Sequence, residues 1–546
     1  MTEKANILSS NFFTFFEEYL RKLYDMIIDL QGKVSTLDGS LREKTKELEA
    51  AQAEIRRLKN LPKKPKIEPS KLDEPPQQPE EKGAKKRPGS EKKSKKSALE
   101  IHEKKVVEAK AIPSDWVLKG HEPYVIQDMI VRANNIEYQR EIWQSPDGNQ
   151  TIVAALPLHL QGKQFGGTLQ TYILHQYYEC CVSQPLIYTT LKDYGIQISK
   201  GQISNILIEG KSAFHEEKAS LLSKAIELKE ELRTDDTGAR HRFKNGYCNC
   251  INSDLFTYFT TSYSKSRINF LEILRVNHTN YELNEAALAY IAKADLPPKY
   301  VQILQACHQA GSGSFKDKPA LEAYFKSNGW TAKYALRTIT EALLIGTIVA
   351  HGFDEQTLIH SDGAGQFDLF VHGLCWKHAE RPLIKLVGYN EPQQILFEDK
   401  KKAFWALYQD LKAYKLKPDK QRIAPLEQQF DDLCEPVLNF ASLNQVLVEL
   451  KAKKDKLLLV LYRPKASLHN NDSERDIREY AKRRNISAGT RSENGKKARD
   501  TFLSLKKTCR KLGISFWEYL LDRVTYTNHI LPLSLIMEQQ AMTANT

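Results

Sequence analysis

Leu232-Arg233-Thr234-Asp235-Asp236-Thr237-Gly238 decides the fold class, because it reads as a strand that delivers a carboxylate just where the chain turns. Thr357-Leu358-Ile359-His360-Ser361-Asp362-Gly363 repeats that arrangement. A third acid, Glu474 in Asn470-Asn471-Asp472-Ser473-Glu474-Arg475, instead opens a strongly charged helical stretch. Two strand-borne aspartates and one helix-borne glutamate predict an α/β core. Long stretches of chain separate the three acids, so no local loop of the EF-hand kind can join them, and any shared site must be built by tertiary folding. Carboxylates are the ligands that hold a pair of hard divalent cations. Each acid alone also fits a surface carboxylate, a cap or an ion-pair partner, the ordinary roles in a chain with 68 acidic residues.

Around these acids the hydrophobic period alternates. Leu232 to Asp235, Gly246 to Ile251 and Phe256 to Tyr263 read as consecutive strands joined by turns rich in Gly, Asn, Ser and Asp. A helical insertion is expected over about 267–352, with clear elements at 286–294 and 320–325, before Leu358 to Asp362 returns to strand. Leu374-Cys375-Trp376 suits a further strand. Helix is expected again over about 380–459, and from Glu474 to near Arg523. Upstream, residues 113–230 are expected to be mostly helical. Within them Tyr194 to Leu207 resembles the turn and second helix of a helix-turn-helix, with Gly195 in the turn and Ser199 as N-cap. Such helix pairs also abound in proteins that touch no DNA.

Leu20, Ile27, Val34, Leu41, Leu48 and Ile55 fall on one heptad position, and Leu23, Leu30, Leu37, Lys44, Ala51 and Leu58 on its partner. This seam predicts a two-stranded coiled coil over residues 1–60; the alternative is a long helix packed on its own domain, since Gly32 and Gly39 weaken an isolated one. Residues 61–112 are rich in Pro, Lys, Glu and Ser and read as a disordered linker, its lysines either solvated or loosely holding phosphates. The chain has 546 residues, enough for several folded units, and its net charge of +12 favours polyanionic partners, chiefly nucleic acid, with a charged solvated surface as the alternative. No apolar run reaches membrane-spanning length and Met1-Thr2-Glu3-Lys4 begins no signal peptide, so a cytoplasmic protein is expected. Eight scattered cysteines without paired CxxC motifs predict neither a disulfide framework nor a structural zinc site of ordinary spacing. Cys375 and His378 have CxxH spacing, but two further ligands are not evident, and a structural role near the acids is the simpler expectation.

Asp235-Asp236-Thr237, Asp362 followed by Cys375-Trp376-Lys377-His378-Ala379-Glu380-Arg381, and Asn470-Asn471-Asp472-Ser473-Glu474-Arg475 together resemble the motifs of DDE transposases of the bacterial insertion-sequence sixty-six family. Arg484-Asn485, Ala488-Gly489, Thr508-Cys509 and Gly513 resemble the segment that follows the family's glutamate. The resemblance implies an RNase H-like core spanning 231–525, in which Asp235, Asp362 and Glu474 are catalytic and ligate two Mg²⁺ or Mn²⁺ ions. It implies end cleavage and strand transfer of an insertion sequence. Arg475, Arg478, Lys482, Arg483 and Arg484 are the expected phosphate contacts around the glutamate. Element ends and target DNA, a second copy through the coiled coil, and accessory proteins of the element are the candidate partners, and 526–546 is expected to be a C-terminal tail. Three features depart from the pattern: no cysteine-rich element follows the linker, the insertion before Asp362 is long, and Asp236 stands where the family has Glu. A structure-selective nuclease on the same fold, and a silent DNA-binding remnant of a mobile element, are the alternatives.

Overall fold

The structure is a computed structural model that describes residues 100–544 apart from 109, 111–112, 114–115, 158–159 and 230, with a few isolated positions before residue 100. The expected coiled coil and most of the linker therefore lie outside the described residues. Among the described residues no helix is long and apolar enough to cross a membrane.

Helix is expected from Pro113, but it begins only at Gly167. Before that, the described chain forms a two-stranded hairpin, Ile142–Gln144 with Thr151–Val153, and otherwise irregular backbone. Trp116, Val117, Leu118, Tyr124, Ile126, Met129 and Ile130 are all exposed there, so these apolar residues supply no buried face on which a helix could be stabilised. The helices α1 (Gly167–Tyr178), α2 (Gln184–Asp193), α3 (Lys200–Ile208) and α4 (Ser212–Glu227) follow. Ser199 and Gln202 form a capping box at the start of α3, and Gly195, at φ 80°, makes the turn between α2 and α3. Ile187, Leu191, Ile203 and Leu207 bury the inner faces of this pair.

A five-stranded mixed sheet comes next: β1 (Leu232–His241), β2 (Lys244–Asn252), β3 (Thr257–Ser262), β4 (Leu358–Ser361) and β5 (Val371–Leu374), in the spatial order β3-β2-β1-β4-β5. β1 pairs antiparallel with β2, and β2 with β3; β1 pairs parallel with β4, and β4 with β5. Contrary to expectation, β1 does not turn at Thr237-Gly238 but continues six residues past Asp235, because Thr237 and Gly238 keep pairing with Cys248 and Tyr247. The turn is a two-residue loop, Arg242-Phe243, with φ of 47° and 62°. That is the type I′ geometry normally supplied by Asn-Gly, and left-handed backbone costs roughly 1–2 kcal/mol per non-glycine residue.

α5 (Asn471–Ser487) and α6 (Glu493–Lys511) cover one face of the sheet, where Ala239, Cys248, Cys250, Phe259, Ile477, Tyr480 and Leu503 cluster. α6 also closes the sheet edge. Thr261 N, Phe259 N and Thr257 N donate to Asp500 (2.7 Å), Ser504 (2.8 Å) and Thr508 (3.1 Å), so one polar stripe of the helix answers alternate amides of β3. α7 (Phe516–Thr525) and α8 (Leu533–Ala544) finish the chain. The expected tail is thus a docked helix, because Leu533, Met537 and Ala541 give it an apolar face buried in the core.

Between β3 and β4, where a helical insertion is expected, lie the helices Arg267–Leu274, Glu285–Lys293, Pro298–Gln309, Lys318–Ser327 and Lys333–Ala350, together with a short antiparallel pair, Tyr281–Glu282 with Ser314–Phe315. The last is core, with Ile339, Leu343, Leu344 and Ile348 buried. Residues 379–410 and 424–452 form a separate compact unit, in which Phe404, Leu407, Phe430, Leu443 and Leu447 are buried and Trp405 Nε1 donates to Glu380 at 2.7 Å. Within the larger unit, a Cβ at Gly346 would collide with the Glu282 carbonyl. Gly346→Ala should therefore destabilise by about 1–3 kcal/mol although alanine is the better helix former. Urea unfolding checks this, and a gain in stability would show that the helix does not approach Glu282 so closely.

Candidate active site

Register places the two aspartates. Leu232 lies opposite Ile359 and Arg233 opposite His360 in the parallel β1–β4 pair, and the same offset carried two residues further sets Asp235 level with Asp362. Asp235 sits within β1, whereas Asp362 is the first residue past β4. The turn after Asp362 is fixed locally: Ala364 N donates to its Oδ1 at 3.0 Å, and Gly363 N to Ser361 Oγ at 3.1 Å.

The start of α5 is tied to β1 at the two residues before Asp235. Asn470 Nδ2 donates to Thr234 O at 2.8 Å, and Arg233 donates to Asp472 at 2.7 Å while also pairing with Asp254. Glu474 and Asp472 occupy the first turn of α5, where the positive end of the helix dipole favours acids. Two residues on, Asp476 is buried and accepts from Asn252 Nδ2 (2.9 Å) and Thr257 Oγ1 (2.6 Å), with Lys507 and Lys511 at 2.9 and 3.1 Å. Burial pushes its carboxyl up, but those two lysines together with the Thr257 hydrogen bond outweigh burial and leave it below the ordinary range. Asp476 thus locks the helix that presents Glu474.

Asp235 is the perturbed group of the cluster. Burial raises its carboxyl from 3.8 to about 7; the Asp236 amide at 2.7 Å opposes that, and the negative charges of Asp362, Asp236 and Glu474 add to it. Asp362 and Glu474 are therefore within electrostatic reach of Asp235, although among the described residues no three acidic, histidine or cysteine side chains already converge closely enough to hold a metal ion. Asp236 is engaged separately: it pairs with Lys265 and accepts from Gln366 Nε2 at 2.8 Å.

Glu474 lies 3.8 Å from His378 Nε2 and 3.3 Å from Arg478. Cys375 is buried; its Sγ accepts from Asn470 N at 3.2 Å and its N donates to Ser361 O at 3.0 Å, so it joins the end of β5, the end of β4 and the cap of α5. Arg475, Arg478 and Lys482 are exposed along one face of α5. Two expected phosphate contacts are placed otherwise. Arg483 is fully buried, its guanidinium 3.5 Å from the centre of the Tyr177 ring, because it falls on the helix face shared with Asp476 and Tyr480. Arg484 grips β1 through Gly238 O and Thr237 Oγ1. The motifs in the sequence point to none of Asp476, Lys265, Asp500 and Ser504, and give Thr508 no role in a stripe with Asp500 and Ser504. The stripe was legible, because polar side chains at i, i+4 and i+8 share one face of a helix.

A family model described as "Transposase IS66 family" matches residues 306–498, a span that contains Asp362, Cys375, His378 and Glu474 but not Asp235. An uncharacterised protein, y4jO, of Sinorhizobium fredii (strain NBRC 101917 / NGR234) is 38% identical over 313 residues, covering 57% of this chain and 97% of its own length. The chain belongs to the transposase IS66 family. No solved structure matches the transposase.

The electrostatics of Asp235 have a thermodynamic consequence for the transposase. Folded Asp235 keeps its proton to about pH 7, while an unfolded aspartate loses it near 3.8. The folded state therefore binds the extra proton between those values, and stability is lost as pH rises through that window. Metal-free transposase should lose stability between about pH 4 and 7, and Asp235→Asn should exceed wild type at pH 8 by on the order of 2 kcal/mol. Urea unfolding over this range measures both; equal stability of the two proteins at pH 8 would contradict the burial of Asp235 among acids.

Proposed function

We propose that this transposase cuts the ends of an insertion sequence and joins them to target DNA at a site formed by Asp235, Asp362 and Glu474. The observation that carries this is the parallel β1–β4 pairing, whose offset leads to Asp235 within β1 and to Asp362 just past β4, with the glutamate helix bonded to Thr234 O. The sheet order β3-β2-β1-β4-β5, antiparallel on one side of β1 and parallel on the other, supports an RNase H-like core over 231–525. Burial first, and neighbouring acids after it, raise the carboxyl of half-buried Asp235, a cost that a cation would relieve; all-oxygen carboxylate donors suit Mg²⁺ or Mn²⁺, and Asp235, Asp362 and Glu474 are the residues that would hold a pair of them. When bound, those ions would supply a Lewis acid for the attacking and leaving oxygens.

In the first step water attacks the phosphorus at the element end and loses a proton to solvent as the P–O3′ bond breaks, and the departing 3′ oxygen takes a proton from solvent to become a hydroxyl, leaving a 5′ phosphate. That hydroxyl then attacks a target phosphodiester, forming one P–O bond as another breaks, with no covalent enzyme intermediate. Arg475, Arg478 and Lys482 present positive charge outward next to Glu474 and suit contact with phosphates. Residues 113–230, with the α2–α3 pair, suit DNA contact away from the chemistry; residues 1–60 suit pairing of two copies, with 61–112 as the tether.

Asp235→Asn, Asp362→Asn and Glu474→Gln should each lower cleavage and joining of labelled ends in Mg²⁺ by about a hundredfold or more, while duplex binding stays within a few-fold of wild type. Retained strand transfer by any of the three would remove that residue from the site. Cleavage without joining by the wild type would point to a nuclease.

A further inference from the structure

Among the non-glycine residues that adopt left-handed backbone, two stand side by side at the tip of the β1–β2 hairpin. Arg242 and Phe243 both adopt left-handed backbone, which a bulky side chain rarely does, and neither is glycine or asparagine. The Phe243 side chain gains nothing in return from the core, since the residue is 79% exposed. Arg240, Arg242 and Lys244 are also exposed, so an aromatic ring stands among three cations at the end of the strand that carries Asp235.

The tip is held rigidly. Arg242 N donates to Thr490 O at 2.8 Å, Thr490 N donates to Arg240 O at 2.9 Å, and His241 bonds Thr490 Oγ1 (2.8 Å) and Glu493 (2.7 Å) with its two ring nitrogens. Gly489 lets the two segments meet, because any Cβ there would collide with the Arg240 carbonyl. Ala488-Gly489-Thr490, directly after the glutamate helix, is thus a latch on the hairpin. Glu493 is the acid facing the tip; it is shared among His241, Arg242 at 3.8 Å and Lys496 at 2.7 Å, and Arg491 adds a further exposed cation.

We propose that this latched tip is a wedge for duplex DNA, in which Phe243 stacks on a base at an opened step and Arg240, Arg242 and Lys244 contact the flanking phosphates. An exposed aromatic ring framed by cations fits a π-face beside a phosphate backbone, and apolar side chains inserted at base steps are a general means of opening DNA. This rests on the transposase reading above only for the identity of the DNA. The strain is then retained because Asn-Gly, the pair this turn favours, would remove both the ring and one cation.

The test is the double variant Arg242→Asn/Phe243→Gly in the full chain, with a 30-base-pair labelled duplex carrying 2-aminopurine at successive positions as probe. Thermal stability should rise, because the new pair suits the turn, while duplex affinity falls about tenfold or more. The salt slope of binding should shrink by about one. Wild type should brighten 2-aminopurine on binding and the double variant should not; Phe243→Trp should retain affinity within about threefold. Unchanged affinity and brightening in the double variant overturns the wedge, whereas a merely structural tip would lose stability on substitution. A wild type that binds and brightens the probe yet neither cuts nor joins ends in Mg²⁺ defeats the proposed chemistry and leaves the wedge standing.

Discussion

Everything near the acids depends on how α6 closes the open edge of the sheet. Four residues of helix rise about 6 Å and two residues of strand about 6.7 Å, so Asp500, Ser504 and Thr508 can reach the amides of Thr261, Phe259 and Thr257 in step. Each bond adds only about 0.5–1.5 kcal/mol net, but an unanswered buried amide would cost about 1–3. Its larger effect is on register: once α6 is fixed, Lys507 and Lys511 meet Asp476, and α5 is fixed in turn.

The glutamate therefore owes its position to groups that take no part in the proposed chemistry. Asp476 holds α5 from below, while Asn470 and Asp472 hold its first turn to β1. Cys375 connects the same cap to β4 and β5 through its backbone and its sulfur. A rigid frame of this kind is needed because the carboxylates it brings near one another repel. Burial, with the negative charges of Asp362, Asp236 and Glu474 adding to it, raises the Asp235 carboxyl, so ionised Asp235 opposes folding.

The basic residues of α5 divide by helical period rather than by charge. Arg475, Arg478 and Lys482 follow i, i+3, i+7 and face outward, while Asp476, Tyr480 and Arg483 follow i, i+4, i+7 and face the protein. A run of cations in a sequence suggests a single surface, yet here the run wraps around a helix that is buried on one side. Arg483 instead lies over the face of Tyr177 from α1, far away in the chain, and its Nη1 donates to Val182 O at 3.4 Å, partners that no local pattern could name.

By itself the sequence determined the element types around the acids, the helical insertion before Asp362, the family, and the three carboxylates as candidates, because hydrophobic period, turn residues and short motifs are local properties of the chain. It also misled locally. Thr237-Gly238 looked like a turn but stays in the sheet, since pairing with Tyr247 and Cys248 overrides the preference of glycine, and the real turn uses Arg242-Phe243, which carry no turn signal. Only the tertiary structure decided that Asp235 and Asp362 stand level, that Arg483 is interior and that Gly489 latches a strained hairpin. Strand register, ring stacking and close backbone approach are set by contacts between segments far apart in the chain, and those exist only once the sheet and its helices have closed on one another.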